Sequence, residues 1–512
     1  MNTKKYIKPL ILSLGICLFS AAASAQAPQT SLSFSEARGP LYNARALSID
    51  FLVTNHSAQA QGIPLEVLRR WNAIAVDASG LDHAPVVPGE NRNFGEQLGP
   101  ARSSRAEAII HIAIFEAVNA IDRRYDSYLG LPRADASASV SAAIAQAAHD
   151  TLVAMFPSQK PSFDRLLADD LAQIPSLGKS LGIDLGANAA RAILRRRTSD
   201  GAQHAEPLMG VDYIPKETPG AWRQDPISLV PIAMGARWSE VKPFVLNSAN
   251  QFRMPPPPAL NSAEYAVAYN EVKRLGGDGV KTPTERTADQ TNAGIFWAYD
   301  GTPSLCAPPR LYNQVAMAIA NQMGTTDVLE LARLLVLVNV ALADEAIQAW
   351  ESKYFYKTWR PVHGIAEADE GTGPSGLGDG NPDTIGDPTF TPLGAPASNL
   401  SGPNFTPPFP AYPSGHAGFG GTLFQILRRY YGTDDIKFSF VSDEFNGITK
   451  GNDGVARPLL PRSFSSFSQA EEENGQSRIY LGIHWSFDKT EAITQGNRVA
   501  DYVFDHAFQP VQ

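Results

Sequence analysis

The sequence predicts an all-α protein. Apolar residues recur at helical spacing over most of the chain, and the longest such pattern runs from residue 326 to about residue 356. A strongly apolar pattern of the same kind follows residue 101, and another spans 415–432. The sequence has no internal repeat and no convincing long alternating pattern of the kind that β-strands produce. We therefore expect helices joined by loops, several of them long.

The composition sets limits on the size of the fold and on its partners. The 512 residues suffice for one large domain or two ordinary ones, and the hydrophobic fraction of 43% is normal for a globular protein. A net charge of −9 argues against nucleic acid or an anionic membrane as a partner. A local basic pocket inside this acidic shell would be the exception.

Residues 1–25 have the pattern of a secretory signal peptide. The segment combines a basic start, an apolar run over 9–23 and the cleavage motif Ala23-Ser24-Ala25. The apolar run is short for a membrane anchor. We therefore expect export to the periplasm or the medium and a mature chain that begins at Gln26. Cleavage would leave Cys306 as the single cysteine, so no intramolecular disulfide is expected.

Residues 26–258 are predicted to form an N-terminal helical region. Up to residue 100 this region looks mostly irregular, apart from a short helix around 65–76. Ser104 and Glu107 have the spacing of a capping box, which predicts that the apolar helix begins there. Alanine-rich helices are predicted at 138–156, 161–173 and 183–197. The proline run near the end of the region is typical of a linker.

Residues 259–512 are predicted to form a second helical region that contains the functional site. Helices are predicted at 284–299, 310–322, 326–356, 415–432, 466–481 and 486–504. The longest helix has too short an uncharged core to span a membrane. The loop over 364–410 is rich in Gly, Pro, Asp, Thr and Asn, and loops of this length are usually functional or disordered. Because it leads into Phe409, we expect it to cover a pocket mouth.

The helix over 415–432 has an anion-binding start. Ser414 is a good N-cap residue for that helix, and the free N–H groups and positive dipole of its first turn suit an anion. Gly415 exposes one of these N–H groups, and His416 stands beside it as a possible proton donor. Taken alone, this stretch is equally typical of an ordinary capped helix with a stray histidine.

Two further stretches strengthen the anion-site interpretation. Lys353 and Arg360 are seven residues apart, about 10.5 Å along one helix face, where two cations repel unless an anion or solvent separates them. His484 and Asp488 have i,i+4 spacing, so the carboxylate can reach the imidazole. Gly482 should break the helix that precedes them. With Arg478, these residues predict a receptor for a tetrahedral oxyanion with an axial histidine.

These motifs resemble those of the superfamily of vanadium haloperoxidases and type 2 phosphatidic-acid or bacterial acid phosphatases. The patterns KxxxxxxRP, PSGH and SRxxxxxHxxxD are all complete, and the match covers roughly 326–506. Trp350, three residues before the motif lysine, and Phe409, seven before the motif histidine, resemble the vanadium chloroperoxidase branch. The resemblance implies two four-helix bundles with the active site in the second.

The resemblance also implies the chemistry of the site. Vanadate would be the cofactor, His484 its axial ligand, and hydrogen peroxide, a halide (chloride or bromide) and a small organic acceptor the partners. The vanadate oxygens would be bound by Lys353, Arg360, Ser414, Gly415 and Arg478. His416 would handle protons, Lys353 would polarise one peroxide oxygen, and Asp488 would orient a histidine. Trp350 and Phe409 would lie on the halide side, and a phenylalanine at 409 favours chloride.

Two alternatives remain open at this point. A secreted acid phosphatase would use the same residues differently, with His484 attacking phosphorus and His416 protonating the leaving alcohol. A catalytically inactive relative would keep the oxyanion site only for binding. The sequence leaves the oligomeric state and the organic substrate open.

Overall fold

Residues 32–58 and 60–511 are described by a computed structural model, so the predicted signal peptide lies outside the described residues. Their helices are α1 (Phe34–Arg38), α2 (Asp50–Asn55), α3 (Pro64–Asp82), α4 (Gly99–Ile121), α5 (Val140–Met155), α6 (Lys160–Gln173), α7 (Lys179–Arg197), α8 (Ala263–Leu275), α9 (Ala288–Phe296), α10 (Pro308–Gln322), α11 (Val328–Tyr356), α12 (Pro361–Ala366), α13 (Gly415–Tyr431), α14 (Phe467–Tyr480) and α15 (Ser486–His506). Strand β1 (Asn43–Ala44) pairs antiparallel with β2 (Leu400–Ser401), and β3 (Phe438–Phe440) with β4 (Arg462–Phe464). The predicted all-α class is confirmed.

The helices form two bundle-like halves that share one core. In the first half α3, α4, α5 and α7 pack together, and in the second α11 packs with α13 and α15 while α14 packs on α13. The halves meet where α4 contacts α11. Every residue of α4 is buried, and α11 is buried along nearly its whole length, because neither helix has a polar face. The two bundle-like halves expected from the resemblance are thus present. The predicted division near residue 258 stays a prediction.

The start of α4 differs from the prediction. The predicted capping box at Ser104 and Glu107 is wrong, because the helix already begins at Gly99, with Pro100 in its first turn. The Ser104 hydroxyl instead donates to the carbonyl of Ala101 at 2.9 Å, inside the helix. The Glu107 carboxyl is buried without a hydrogen-bond partner in the described part of the chain. Burial raises its pKa to about 8, so this side chain is neutral at pH 7.

The loop between α12 and α13 leads to the cavity described below. It pairs through β2 with β1 from the N-terminal segment. Its last residues, Pro407, Pro408 and Phe409, line the cavity, where the sequence predicted a covering loop. None of the described helices has both the length and the apolar character that a membrane crossing requires.

Candidate active site

A cavity of about 30 Å³ lies at the N-terminal end of α13. Polar side chains line one part of its wall, namely Arg38, His83, Asp300, His416, Arg478 and His484. The other part is apolar and includes Met234, Trp350, Pro407, Phe409 and Phe419. The wall therefore combines residues of the N-terminal half with predicted site residues of the C-terminal half.

His484 presents a ring nitrogen that acts as an acceptor. Gly482, with a φ of +71°, turns the chain after α14, and a Cβ there would lie 2.4 Å from the Gly276 carbonyl oxygen. The His484 Nδ1 lies 2.8 Å from the Asp488 Oδ2, and the backbone N–H of Trp485 donates to the same oxygen at 3.0 Å. Because a carboxylate accepts, Nδ1 carries the proton and Nε2 keeps its lone pair. Nε2 lies 2.8 Å from Nη1 of Arg360.

The environment keeps His484 neutral. Burial holds the pKa of its imidazole well below the usual value, and the charges of Arg360 and Lys353 lower it further. Burial also raises the pKa of Asp488 to about 7, although Trp485 and the two cations oppose this shift. A neutral imidazole whose Nε2 carries a lone pair is the form that binds a metal centre or acts as a nucleophile, and here that lone pair accepts from Arg360 until a ligand replaces the contact.

Arg478 has unused hydrogen-bond donors. Its Nη2 donates to both carboxylate oxygens of Asp300, at 2.8 and 2.9 Å. Its Nε and Nη1 are buried and have no hydrogen-bond partner among the described residues. Burying donors of a charged group without a partner costs free energy, which an anion in the cavity would offset. Asp300 was missed at the sequence level, because it lies in a loop 178 residues away without a local motif.

Arg360 and Lys353 are mainly bonded to backbone carbonyls. Arg360 donates through Nε to the carbonyl of Phe409 at 3.0 Å and through Nη1 to that of Ile483 at 2.8 Å. The Lys353 ammonium donates to the carbonyls of residues 410 and 411, at 2.9 and 3.0 Å, and to that of Pro413. Neither side chain lines the cavity. Burial lowers the pKa of Arg360 to about 9 and holds that of Lys353 well below its usual value.

Ser414 caps α13 as the sequence predicted. Its Oγ accepts from the Ala417 N–H at 3.4 Å, and its own N–H donates to the carbonyl of Asp488 at 3.0 Å. A Cβ at Gly415 would lie 3.2 Å from the Trp350 ring, so a glycine allows the close approach. The N–H groups of the first turn have no acceptor within the helix. They form a partial positive end on the cavity wall, beside Arg478.

His416 is buried at the same end of the cavity. Its Nε2 hydrogen-bonds the carbonyl of Ala298 and lies 3.8 Å from the Oδ1 of Asp300. A carbonyl only accepts, so Nε2 carries the proton and Nδ1 keeps a lone pair. Burial, and then the charge of Arg478, hold the pKa of His416 well below its usual value. His416 is therefore neutral, with a lone pair at Nδ1 that can accept a hydrogen bond.

The apolar wall is built around Trp350 and Phe409. Their ring centroids lie 4.9 Å apart. The Trp350 Nε1 donates to the carbonyl of Met234 at 3.1 Å, which fixes the indole. The Lys353 ammonium lies 5.1 Å from the centroid of the Phe409 ring, within the range of a cation–π contact. A buried positive charge thus stands directly behind the apolar wall.

Comparisons with known proteins agree with this geometry. The model of the VCPO second helical-bundle domain matches residues 333–512. The vanadium chloroperoxidase of Curvularia inaequalis is 28% identical over 82% of this chain and 79% of its own length. A structure described as the first bacterial vanadium-dependent iodoperoxidase superposes with a TM-score of 0.67 at 22% identity, over 86% of this chain and 97% of that one. A holo bacterial vanadium-dependent chloroperoxidase gives 0.60 at 17% identity, over 80% and 92%. Both structural likenesses concern the fold.

Proposed function

We propose that this chain, which is similar to vanadium haloperoxidases, uses bound vanadate to oxidise a halide with hydrogen peroxide. The product would be hypohalous acid, which halogenates a small organic acceptor. The observation that carries this proposal is the pair of buried donors on Arg478 that have no partner among the described residues, on a side chain that lines the cavity together with His484.

The donor set fits vanadate. An oxyanion needs several N–H donors for its oxygens, and Arg478 together with the first turn of α13 offers them. A metal centre also needs a basic ligand atom, and His484, oriented by Asp488, offers Nε2. Bound vanadate would supply a Lewis-acidic centre that activates hydrogen peroxide toward attack by halide.

The side chains around that centre have separate roles in proton transfer and in positioning. His416 is neutral and can take a proton from incoming peroxide at Nδ1, and Asp300, 3.8 Å from Nε2, would stabilise the imidazolium that forms. Arg360 and Lys353 hold the peptide segments that carry Phe409 and Ser414. Their charges also add to the positive potential behind the anion.

The apolar wall supports halide oxidation over ester hydrolysis. A phosphatase must admit a bulky alcohol beside His416, whereas Trp350 and Phe409 bound this cavity. Large apolar side chains exclude water and lower the local dielectric, which strengthens the attraction between a small anion and the buried cations. Hydrolysis by the phosphatase route, with His484 as the nucleophile, is the outcome that would replace this proposal.

A titration of vanadate-free protein with orthovanadate tests the proposal. Hydrogen peroxide, chloride or bromide, and a dye that traps hypohalous acid report halogenation, and a chromogenic phosphate ester reports hydrolysis. We expect halogenation that rises and saturates with vanadate. Ester hydrolysis that vanadate inhibits, without halogenation, would assign the chain to the phosphatase branch. Vanadate binding without either reaction would identify an inactive relative.

A further inference from the structure

Arg38 is a cavity-lining cation that the motifs do not include. It is the last residue of α1, a helix held by the capping box of Ser33 and Glu36. The residue is 6% exposed and lines the same cavity as Asp300 and Arg478. It comes from the N-terminal segment, more than 300 residues before Trp350 in the chain. No sequence pattern connects it with the site.

The guanidinium group of Arg38 is not paired within the described part of the chain. Its neighbours include the ring of Phe405, with the centroid 5.7 Å from Cζ, and Gly301, where a Cβ would lie 3.0 Å from Nη2. No carboxylate of the described residues lies within ion-pair distance of it. The carboxylate whose charge raises the pKa of Arg38 is that of Asp300, and Asp300 is bonded to Arg478. Burial lowers the pKa of Arg38 to about 10, so the group stays charged at neutral pH.

The segment that carries Arg38 is fixed in place. The hydroxyl of Tyr42 donates to the carbonyl of Pro403 at 2.9 Å, and its ring packs edge-on against Phe405, with the centroids 6.2 Å apart. Strand β1 pairs with β2 on the same loop. This loop leads directly into Phe409, so Arg38 and the apolar wall are held by one local structure. An unpaired cation that is held so firmly beside a cavity needs an anion.

We propose that Arg38 forms a second anion subsite in this cavity, apart from the donors of Arg478 and His484, and that this subsite binds the halide. A halide is a small monovalent anion that one guanidinium can balance. Of the other wall residues, His83 already bonds Ser79 and Gly99 through its two ring nitrogens, and Leu98, Pro407 and Met234 offer no side-chain donors for the several oxygens of a second oxyanion. The last three are apolar and would replace part of the hydration shell of the halide. The inference rests on the proposed function, because it names the binding place of that substrate.

Chloride binding to vanadate-free protein tests the subsite without any turnover. Line broadening in chloride NMR gives the affinity, first alone and then with orthophosphate added to fill the oxyanion site. We expect Arg38→Met to weaken chloride binding at least tenfold in both conditions, and Arg38→Lys to fall in between. Arg45→Met is the matched control, because Arg45 is an exposed cation of the same segment, and it should leave the affinity unchanged.

The outcomes separate the two proposals. Wild-type affinity in Arg38→Met, or complete displacement of chloride by phosphate in the wild type, would overturn the subsite. Chloride binding that depends on Arg38, in a protein that fails to halogenate with vanadate, would keep the subsite and overturn the proposed function. Thermal unfolding checks that Arg38→Met is folded. If it is not, anomalous scattering from bromide-soaked wild-type crystals decides, with bromide expected at the guanidinium and its absence there overturning the proposal.

Discussion

Replacing Asp488 with asparagine should weaken vanadate binding about 10- to 100-fold at pH 8. The variant keeps the shape of a side chain whose Oδ2 accepts from the His484 Nδ1–H at 2.8 Å and from the Trp485 N–H at 3.0 Å. It removes the negative charge. Hydrogen bonds to charged groups contribute about 1.5–3 kcal/mol against about 0.5–1.5 kcal/mol for neutral ones. The difference of about 1–1.5 kcal/mol is roughly tenfold, and loss of such a partner behind a metal ligand typically costs 10–100-fold in affinity.

The size of this effect should depend on pH. Since burial raises the pKa of Asp488 to about 7, the wild-type carboxyl is ionised at pH 8 and mostly neutral at pH 6. The gap in affinity between wild type and Asp488→Asn should therefore shrink as the pH falls through 7. Calorimetric titration of vanadate-free protein with orthovanadate at both pH values measures the gap.

A control variant separates this effect from a general disturbance of α15. Asp501 lies on the same helix, where its carboxylate accepts from Gln425 at 2.8 Å and from Arg429 at 2.9 Å. Asp501→Asn should bind vanadate like the wild type. If Asp488→Asn keeps wild-type affinity at pH 8, or if the control loses as much, the reasoning about His484 is refuted.

Three further predictions concern stability, turnover and processing. Burial raises the pKa of Asp488 from 3.8 to about 7. The protonated carboxyl therefore makes its full contribution to the stability of the fold below pH 3.8, and this contribution is lost as the pH rises through 7. The free energy of unfolding of the wild type relative to Asp488→Asn, followed through the difference in Tm, should therefore fall between pH 5 and pH 8 by at most about 1.4 kcal/mol per pH unit, and a constant difference would contradict the assignment. His416→Ala should still bind vanadate in a calorimeter while turnover falls about 10²–10⁴-fold; unchanged turnover would remove His416 from proton transfer. Mass spectrometry of the exported protein should find Gln26 at the N-terminus, and a chain that retains Met1 would refute cleavage.

The sequence predicted features that depend on local spacing. The N-cap at Ser414 and the contact between His484 and Asp488 each involve residues within four positions of each other at the start of a helix, where local backbone geometry determines which side chains are in contact. Helix α11 was predicted within two residues of its observed start, because its apolar pattern is long and unbroken. The predicted start of α4 was wrong because two sequence signals pointed to different positions. The helix begins at the turn that contains Pro100 and not at the residues with capping-box spacing.

The residues that were missed are brought to the site by tertiary structure. Asp300 meets Arg478 from a loop after α9, and Arg38 arrives on a five-residue helix of the N-terminal segment. Each lies far from the motifs in the chain, and neither forms a pattern with its sequence neighbours. A single sequence therefore identifies site residues that occur at the spacing of a known motif. It does not identify charged partners that only the packing of two bundles brings together.

The partners of the three motif cations determine how an anion would bind. The spacing of Lys353 and Arg360 predicted an anion between them, but both side chains already donate to backbone carbonyls. Direct bonds from the Lys353 ammonium to an anion would require it to exchange a carbonyl contact, whereas Arg478 has two donors without a partner in residues 32–58 and 60–511. Hydrogen bonds to a charged group contribute most when the donor has no other partner to give up. Direct binding should therefore come chiefly from Arg478 and the start of α13, while Lys353 and Arg360 hold that start in position and contribute through their charge.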